Sequence, residues 1–332
     1  MGWGKLVSIM KERSVFVFPG QGAQYVGMGA GLYKEYPAAR YAFEAISDAT
    51  HRDMAKICFS GPAAHLNTPA ITSLGTFAHS VAIVRVIEAH FGCPLFDIAY
   101  VMVGHSLGQY SALHAVDSID LYDAARLVSL RSLYMSMGRG DCGMAAIVGL
   151  SKEQVENLLF LAVGRGFAVI SNHNAHDQFI LSGENAALDA ILGAARAQGA
   201  RIARRLNIAV PAHCALMAPA AIKMRQHLER VEIRQPKTNW FSNQTASLMW
   251  APYDIRHSLV EQMTCGVRWA EIMDKFPAMH ITRAYEIGPG ATLTRLIART
   301  HSGIRTMHTD SVDNVRAVID AIEKDMVGAK TR

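Results

Sequence analysis

The chain has 332 residues, half of them apolar, enough to bury a sizeable core as one large domain with an insertion or as two modest domains. Five scattered cysteines (Cys58, Cys93, Cys142, Cys214, Cys265) with no C-x-x-C pair argue against a disulfide framework or a cysteine-based zinc or redox centre, and no run approaches the roughly 18 uncharged apolar residues of a membrane span. The formal charge of +5 leaves an acidic partner or plain solubility open, while the basic segments lack the interleaved aromatics that would favour nucleic acid.

The first fourteen residues, MGWGKLVSIMKERS, are basic, but the apolar run Leu6 to Met10 is too short for a signal-peptide core and no A-x-A-like site follows, so a cytoplasmic protein is expected. Apolar, β-branched runs that end in glycine turns then recur: SVFVFPGQG (14–22), IAYVMVGHSLG (98–108), GMAAIVGL (143–150), FAVISNHN (167–174), FILSG (179–183) and AYEIGPG (284–290). Alanine- and leucine-rich stretches at helical spacing lie between most of them, which predicts an α/β fold with a mainly parallel sheet. Residues 139–208 stand apart. A strand, the helical SKEQVENLLFLAVGRG, two strands, the helix ENAALDAILGAARAQGA and the strand RIARRLNIAV follow the β-α-β-β-α-β order of a ferredoxin-like unit. The expected division is a large α/β domain, 1–138 and 209–332, carrying an inserted ferredoxin-like subdomain, 139–208.

Gly104-His105-Ser106-Leu107-Gly108 fits G-x-S-x-G, with the buried strand IAYVMV before it and the helix-compatible QYSALHAV after it. In that context the serine sits on a tight turn at a helix start, where unpaired N–H groups favour a developing oxyanion. The alternative is an ordinary strand-helix turn with Ser106 as a cap. The turn PGQGAQ, Pro19 to Gln24, is a second glycine-rich strand end able to supply an N–H if it lies beside the first. A serine at neutral pH needs a base. Among 14 histidines, His213 in VPAHCALM follows directly on the inserted unit, whereas His105 is too close in sequence to face Ser106.

FVFPGQGAQ, GHSLGQYSAL, LVSLRSLYM, GMAAIVGL, VPAHCALM and YEIGPGATLTRL stand in the order found in the malonyl-CoA:acyl-carrier-protein transacylases, and the chain resembles that family from about Val15 to Thr300. The resemblance implies a hydrolase-like parallel-sheet core and a ping-pong acyl transfer in which Ser106 attacks the thioester and His213 is base, then acid. It implies that a main-chain carbonyl, at Gln262 in LVEQMTCGVRW, orients the imidazole, and that the N–H groups of Gln21 and Leu107 form the oxyanion hole. Arg131, 25 residues after the serine, then holds a malonyl carboxylate in a planar fork suited to two oxygens. A helix-surface arginine is the plainer reading of the same residue. Met135 and Met144 are assigned to the acyl pocket or the core.

The expected activity is transfer of malonyl from malonyl-CoA to the phosphopantetheine thiol of an acyl carrier protein in fatty-acid or polyketide synthesis. The partners are then that carrier and coenzyme A thioesters, with no metal or other cofactor, no membrane and no nucleic acid, and the chain a monomer. Two alternatives keep the fold: a hydrolase that strips stalled acyl groups from carriers, and the malonyl transferase component of a malonate decarboxylase. Gln109 departs from the family's usual glutamate and removes a charge near the site. His173 and His176 in SNHNAHDQF suggest a metal, but the family has an asparagine-rich turn there. Arg196, Arg201, Arg204 and Arg205 form a basic cluster that reads either as a solvated element end or as a dock for an acidic carrier.

Overall fold

The computed structural model describes residues 14–137, 140–208 and 210–328. Residues 1–13 of the basic N-terminal segment, and residue 139 at the expected start of the inserted subdomain, lie outside the described residues.

Five strands form a parallel sheet: β1 (Ser14–Phe18), β2 (Val101–Gly104), β7 (Asn239–Trp240), β8 (Arg283–Glu286) and β9 (Arg305–His308), in the order β7-β2-β1-β8-β9. β1 is central, paired in parallel with β2 and with β8, so that Phe18 lies opposite Gly104. Every residue of SVFVF is buried, as expected of a parallel strand covered on both faces. Alternate side chains serve different layers. Phe16, Phe18, Met102 and Tyr285 join the larger core with the helices Pro37–Thr50, Pro69–Phe91 and Leu121–Ser136, while Val15, Val17, Val101, Val103 and Ala284 pack with Trp269, Ile272 and Ile297 on the other side.

The helix Pro69–Phe91 corrects one expectation. Its stretch Ala70–Phe91 is long and apolar enough to cross a membrane, but nearly all of it is buried inside the fold. Neighbours cover it up to its last turns, burying the polar Thr72, Ser73, Thr76, His79 and Ser80 along with its apolar residues, and a helix buried in a core is the other circumstance that produces so apolar a stretch.

A second sheet, antiparallel, contains β3 (Cys142–Val148), β4 (Ala168–Ala175), β5 (Gln178–Glu184) and β6 (Ile202–Arg205) in the order β4-β5-β3-β6. With the helices Lys152–Leu159 and Asn185–Ala197 on one face it has the strand order of a ferredoxin-like unit, built around Ala145, Ile147, Val155, Phe179, Leu181 and Leu188. The first of these helices starts at a capping box, Ser151 with Gln154. The α/β expectation with a parallel core and a small second sheet is met. β6 is shorter than RIARRLNIAV suggested. The regular strand ends at Arg205, with one more in-register bond to β3, Leu206 N–H to Met144 O at 2.9 Å.

Candidate active site

Ser106 stands at the carboxyl end of β2, between that strand and the helix Gly108–Ala115. Its φ of 52° is left-handed, a strained conformation for a residue with a side chain. The flanking glycines are sterically required. A Cβ on Gly104 would lie 1.8 Å from the Gly108 carbonyl carbon, and one on Gly108 would lie 2.1 Å from Phe18 O. The elbow is therefore wedged against the end of β1, where His105 N–H also bonds Phe18 O at 2.9 Å. The reading of Ser106 as a mere cap fails, since the helix has no side-chain cap bond.

His213 comes to the serine from the loop after β6, which the small sheet helps to hold: Ser182 of β5 donates to Ala212 O at 2.6 Å. His213 is 3% exposed, and its φ of 60° is also left-handed. Nε2 is 2.7 Å from Ser106 Oγ, and Nδ1 is 2.7 Å from the carbonyl oxygen of Gln262. An acceptor at Nδ1 fixes the proton there and leaves Nε2 free to accept the serine proton. Gln262 follows the last turn of the helix Pro252–Glu261, where carbonyls lack intrahelical partners and carry the negative end of the helix dipole. That helix end occupies the place a carboxylate takes in a Ser-His-Asp triad. Burial above all, and then the Arg131 charge, push the His213 pKa down to about 3, against the opposing pull of the Gln262 carbonyl. The imidazole is thus neutral at pH 7 and competent as a base.

Arg131 lies on the helix Leu121–Ser136, whose start is capped by Asp120 accepting from Tyr122 N and Asp123 N. It shares the inward face with Leu127, Val128 and Met135, at the three- and four-residue spacing of neighbours on one helix face. It is only 2% exposed, so the helix-surface reading fails. Nη2 is 3.2 Å from Ser106 Oγ, and Nε has no partner; among the described residues no carboxylate pairs with the guanidinium. Burial lowers its pKa.

Leu107 is buried, and its N–H finds no acceptor among the described residues. Gln21 is exposed in the turn after β1, the strand end against which the elbow packs, and its side-chain amide bonds Ser73 Oγ. Met135 and Met144 are 7% and 6% exposed and both belong to the larger core. His105 turns away from Ser106, its Nε2 2.9 Å from Asn174 Oδ1 and its ring against Trp269. His173 stacks on Phe179, and His176 faces Asp274. Of the basic cluster, Arg201 pairs with Asp177, Arg205 lies 3.9 Å from Asp189 and Arg196 bonds Ala203 O; Arg204 alone has no side-chain partner among the described residues. A cavity of about 680 Å³ lined by Tyr41, Arg85, Cys93 and His114 contains none of the Ser106 constellation.

One residue of the constellation went unread in the sequence. Asn243, completely buried beyond β7, accepts Ser106 N–H at 2.7 Å and Gln262 Nε2–H at 3.2 Å and donates to Gly104 O at 2.8 Å. Gln109, also fully buried, accepts the Asn243 main-chain N–H at 2.9 Å.

A serine on a strained elbow, a neutral histidine held by a carbonyl and a buried guanidinium form an arrangement suited to acyl transfer. Residues 15–327 match the acyl transferase domain family. The chain belongs to that family. It is 35% identical over 309 residues to the malonyl CoA-acyl carrier protein transacylase of Haemophilus influenzae, covering 92% of this chain and 98% of that protein. The crystal structure of the acyl-carrier-protein-S-malonyltransferase from Bartonella henselae is 34% identical with a TM-score of 0.90, covering 94% of this acyltransferase and 99% of that chain. A malonyl-transacylase solved in complex with its type II PKS acyl-carrier protein is 33% identical with a TM-score of 0.88, over 93% of this acyltransferase and 99% of that chain.

Proposed function

We propose that this acyltransferase moves malonyl from malonyl-CoA to the phosphopantetheine thiol of an acyl carrier protein through a malonyl-Ser106 ester. The observation that carries the malonyl assignment is Arg131: a buried guanidinium beside the nucleophile, with no carboxylate of the described residues to neutralise it. A malonyl thioester supplies that carboxylate on the acyl group itself, in a geometry that two guanidinium N–H groups can match. Relatives matched over nearly their whole length carry the name of this activity.

In the first half-reaction the Ser106 hydroxyl proton passes to His213 Nε2 as Oγ bonds to the thioester carbon. The oxyanion is met by the N–H groups of Leu107 and Gln21. The intermediate collapses, the carbon–sulfur bond breaks, and the imidazolium returns its proton to the CoA sulfur. The carrier thiol then gives its proton to His213 and attacks the ester, and Ser106 leaves with that proton restored. The Gln262 carbonyl bonds Nδ1–H throughout and favours the imidazolium that forms in each half.

No metal or redox cofactor has a part in this sequence. An editing hydrolase of neutral acyl chains gains nothing from a buried cation at the acyl site, so Arg131 argues against that alternative. Arg204, without a side-chain partner among the described residues, is the arginine of its cluster that would meet an acidic carrier. The test is intact mass after mixing with malonyl-, methylmalonyl- and acetyl-CoA. Malonyl should remain as a covalent adduct on the wild type, be absent from Ser106→Ala, and transfer to a holo carrier protein on addition. An adduct persisting on Ser106→Ala, or acetyl accumulating in preference to malonyl, overturns the reading. Transfer only to the carrier subunit of a malonate decarboxylase would select that alternative.

A further inference from the structure

Asn243 is not part of the dyad, the oxyanion hole or the carboxylate site, yet it bonds more of the catalytic backbone than any of them. Its Oδ1 accepts from Ser106 N at 2.7 Å and from Gln262 Nε2 at 3.2 Å, its Nδ2 donates to Gly104 O at 2.8 Å, its main-chain N–H donates to Gln109 Oε1 at 2.9 Å, and its carbonyl accepts from Arg268 N at 3.0 Å. Gln262 Nε2 also donates to Ser106 O at 3.2 Å. One side chain therefore closes a ring that contains the Ser106 peptide and the residue whose carbonyl orients His213.

We propose that Asn243 is a positioning residue for acylation, tying the strained Ser106 peptide to Gln262 so that nucleophile and base are held in register by a single amide. Ser106 is held at φ 52°, a conformation that persists only where its surroundings over-determine it, and the Ser106 N–H and Gly104 carbonyl on either side of the turn both end on Asn243. The dyad bridges elements far apart in the chain: Ser106 follows β2, His213 follows β6 and Gln262 ends a helix. Asn243 joins the first of these to the third, and the Gln262 carbonyl joins the third to the second. The amide is suited to the task because the site asks for acceptance and donation from one side chain. An aspartate can accept both N–H groups but cannot donate to Gly104 O while ionised, and an alanine can do neither.

Gln109 fits the same scheme. It accepts the Asn243 N–H through Oε1, so it fixes the backbone from which the ring is built, and it does so without burying a charge. The glutamate usual in the family retains that acceptor, which is why the departure leaves the ring intact.

The proposal rests on Ser106 and His213 acting as nucleophile and base, and only one arm of its test depends on malonyl as the acyl group. The reaction of Ser106 with a neutral fluorophosphonate reads the dyad alone: the Oγ–P bond forms as P–F breaks, the hydroxyl proton goes to His213 and fluoride leaves. Stopped-flow acylation by malonyl-CoA reads the full first half-reaction. Affinity for malonyl-CoA is measured by calorimetry in the Ser106→Ala background, where no chemistry follows binding. Asn243→Ala should slow both reactions by about 10²-fold, the scale of a misplacement near 1 Å, while that affinity stays within about twofold. Asn243→Asp, which keeps both bonds to Oδ1, should recover at least about tenfold of the loss in each. If the alanine variant does not fold, Asn243→Ser takes its place, and aspartate should still exceed serine. Rates within about threefold of wild type in the folded alanine variant overturn the proposal, as does a loss confined to malonyl-CoA affinity, or an aspartate variant no faster than alanine or serine. A wild type that reacts with the fluorophosphonate but not with malonyl-CoA refutes the malonyl reading and leaves Asn243 to be judged on the fluorophosphonate arm.

Discussion

Replacing Arg131 separates binding of the acyl carboxylate from the chemistry at Ser106. The guanidinium is 2% exposed, and a malonyl carboxylate reaching it meets a cation with no competing carboxylate among the described residues. At about 4 Å and an effective dielectric near 20, their attraction is about 4 kcal/mol. Loss of one partner of a desolvated, hydrogen-bonded pair is measured at about 2 to 5 kcal/mol, so about 10³-fold is the expected loss in kcat/KM for malonyl-CoA in Arg131→Ala. Acetyl-CoA has no carboxylate and should lose far less, or gain, because the pocket no longer buries an unpaired cation. Lysine should rescue poorly, since an ammonium cannot reproduce the two-pronged contact. An isolated buried charge opposes folding, so Arg131→Met should melt at the wild-type temperature or above it, which removes unfolding as the cause of lost activity. The assay is kcat/KM for malonyl- and acetyl-CoA on wild type and all three variants. A malonyl-to-acetyl ratio that moves by less than about tenfold would refute the carboxylate assignment.

Three further outcomes follow from the charges and their burial. His213 is neutral down to about pH 3, so the pre-steady-state acylation rate should stay level between pH 5.5 and 8; a single ionisation near 6.5 in that profile would show a base in a different environment. His79 and His114 are held near 4 and His213 near 3, all mainly by burial, so below pH 6.5 the unfolded chain takes up protons that the folded chain refuses and stability must fall as the pH drops toward 4. For His79 the loss between pH 6.5 and 5 is about 2 kcal/mol, and His79→Leu should flatten the slope of denaturation midpoint against pH, an unchanged slope excluding His79 as a contributor. Arg204→Glu should raise KM for an acidic carrier while leaving kcat/KM for a small thiol acceptor unchanged, and added salt should shrink the difference; equal effects on the two acceptors would remove Arg204 from the docking surface.

What could be read in the sequence, and what could not, follows from the range of the interactions. The elbow is legible because its requirements are local: two glycines where any Cβ would collide, after an apolar strand and before a helix. β1, β2, β3, β4, β5 and β8 are likewise marked by their own apolar, β-branched residues. β7 and β9 are not. β7 spans two residues and lies at one edge of the sheet, and RTMH in β9 is polar because it forms the other edge and needs no two-sided burial. Arg131 could be matched to a motif, but its burial depends on the packing of its helix, which composition does not reveal. Asn243 carries no local mark at all. FSNQT reads as a polar turn, and its meaning arises only when the parallel sheet sets the end of β7 beside the end of β2, 139 positions separating Asn243 from the Gly104 carbonyl it holds. The same topology gives His213 an orienting acceptor that is not a carboxylate. A helix that ends at Gln262 presents an unpaired carbonyl to His213, and Asn243 fixes the side chain of that same glutamine, so the orientation a triad obtains from an acid is obtained here from a helix end and two amides.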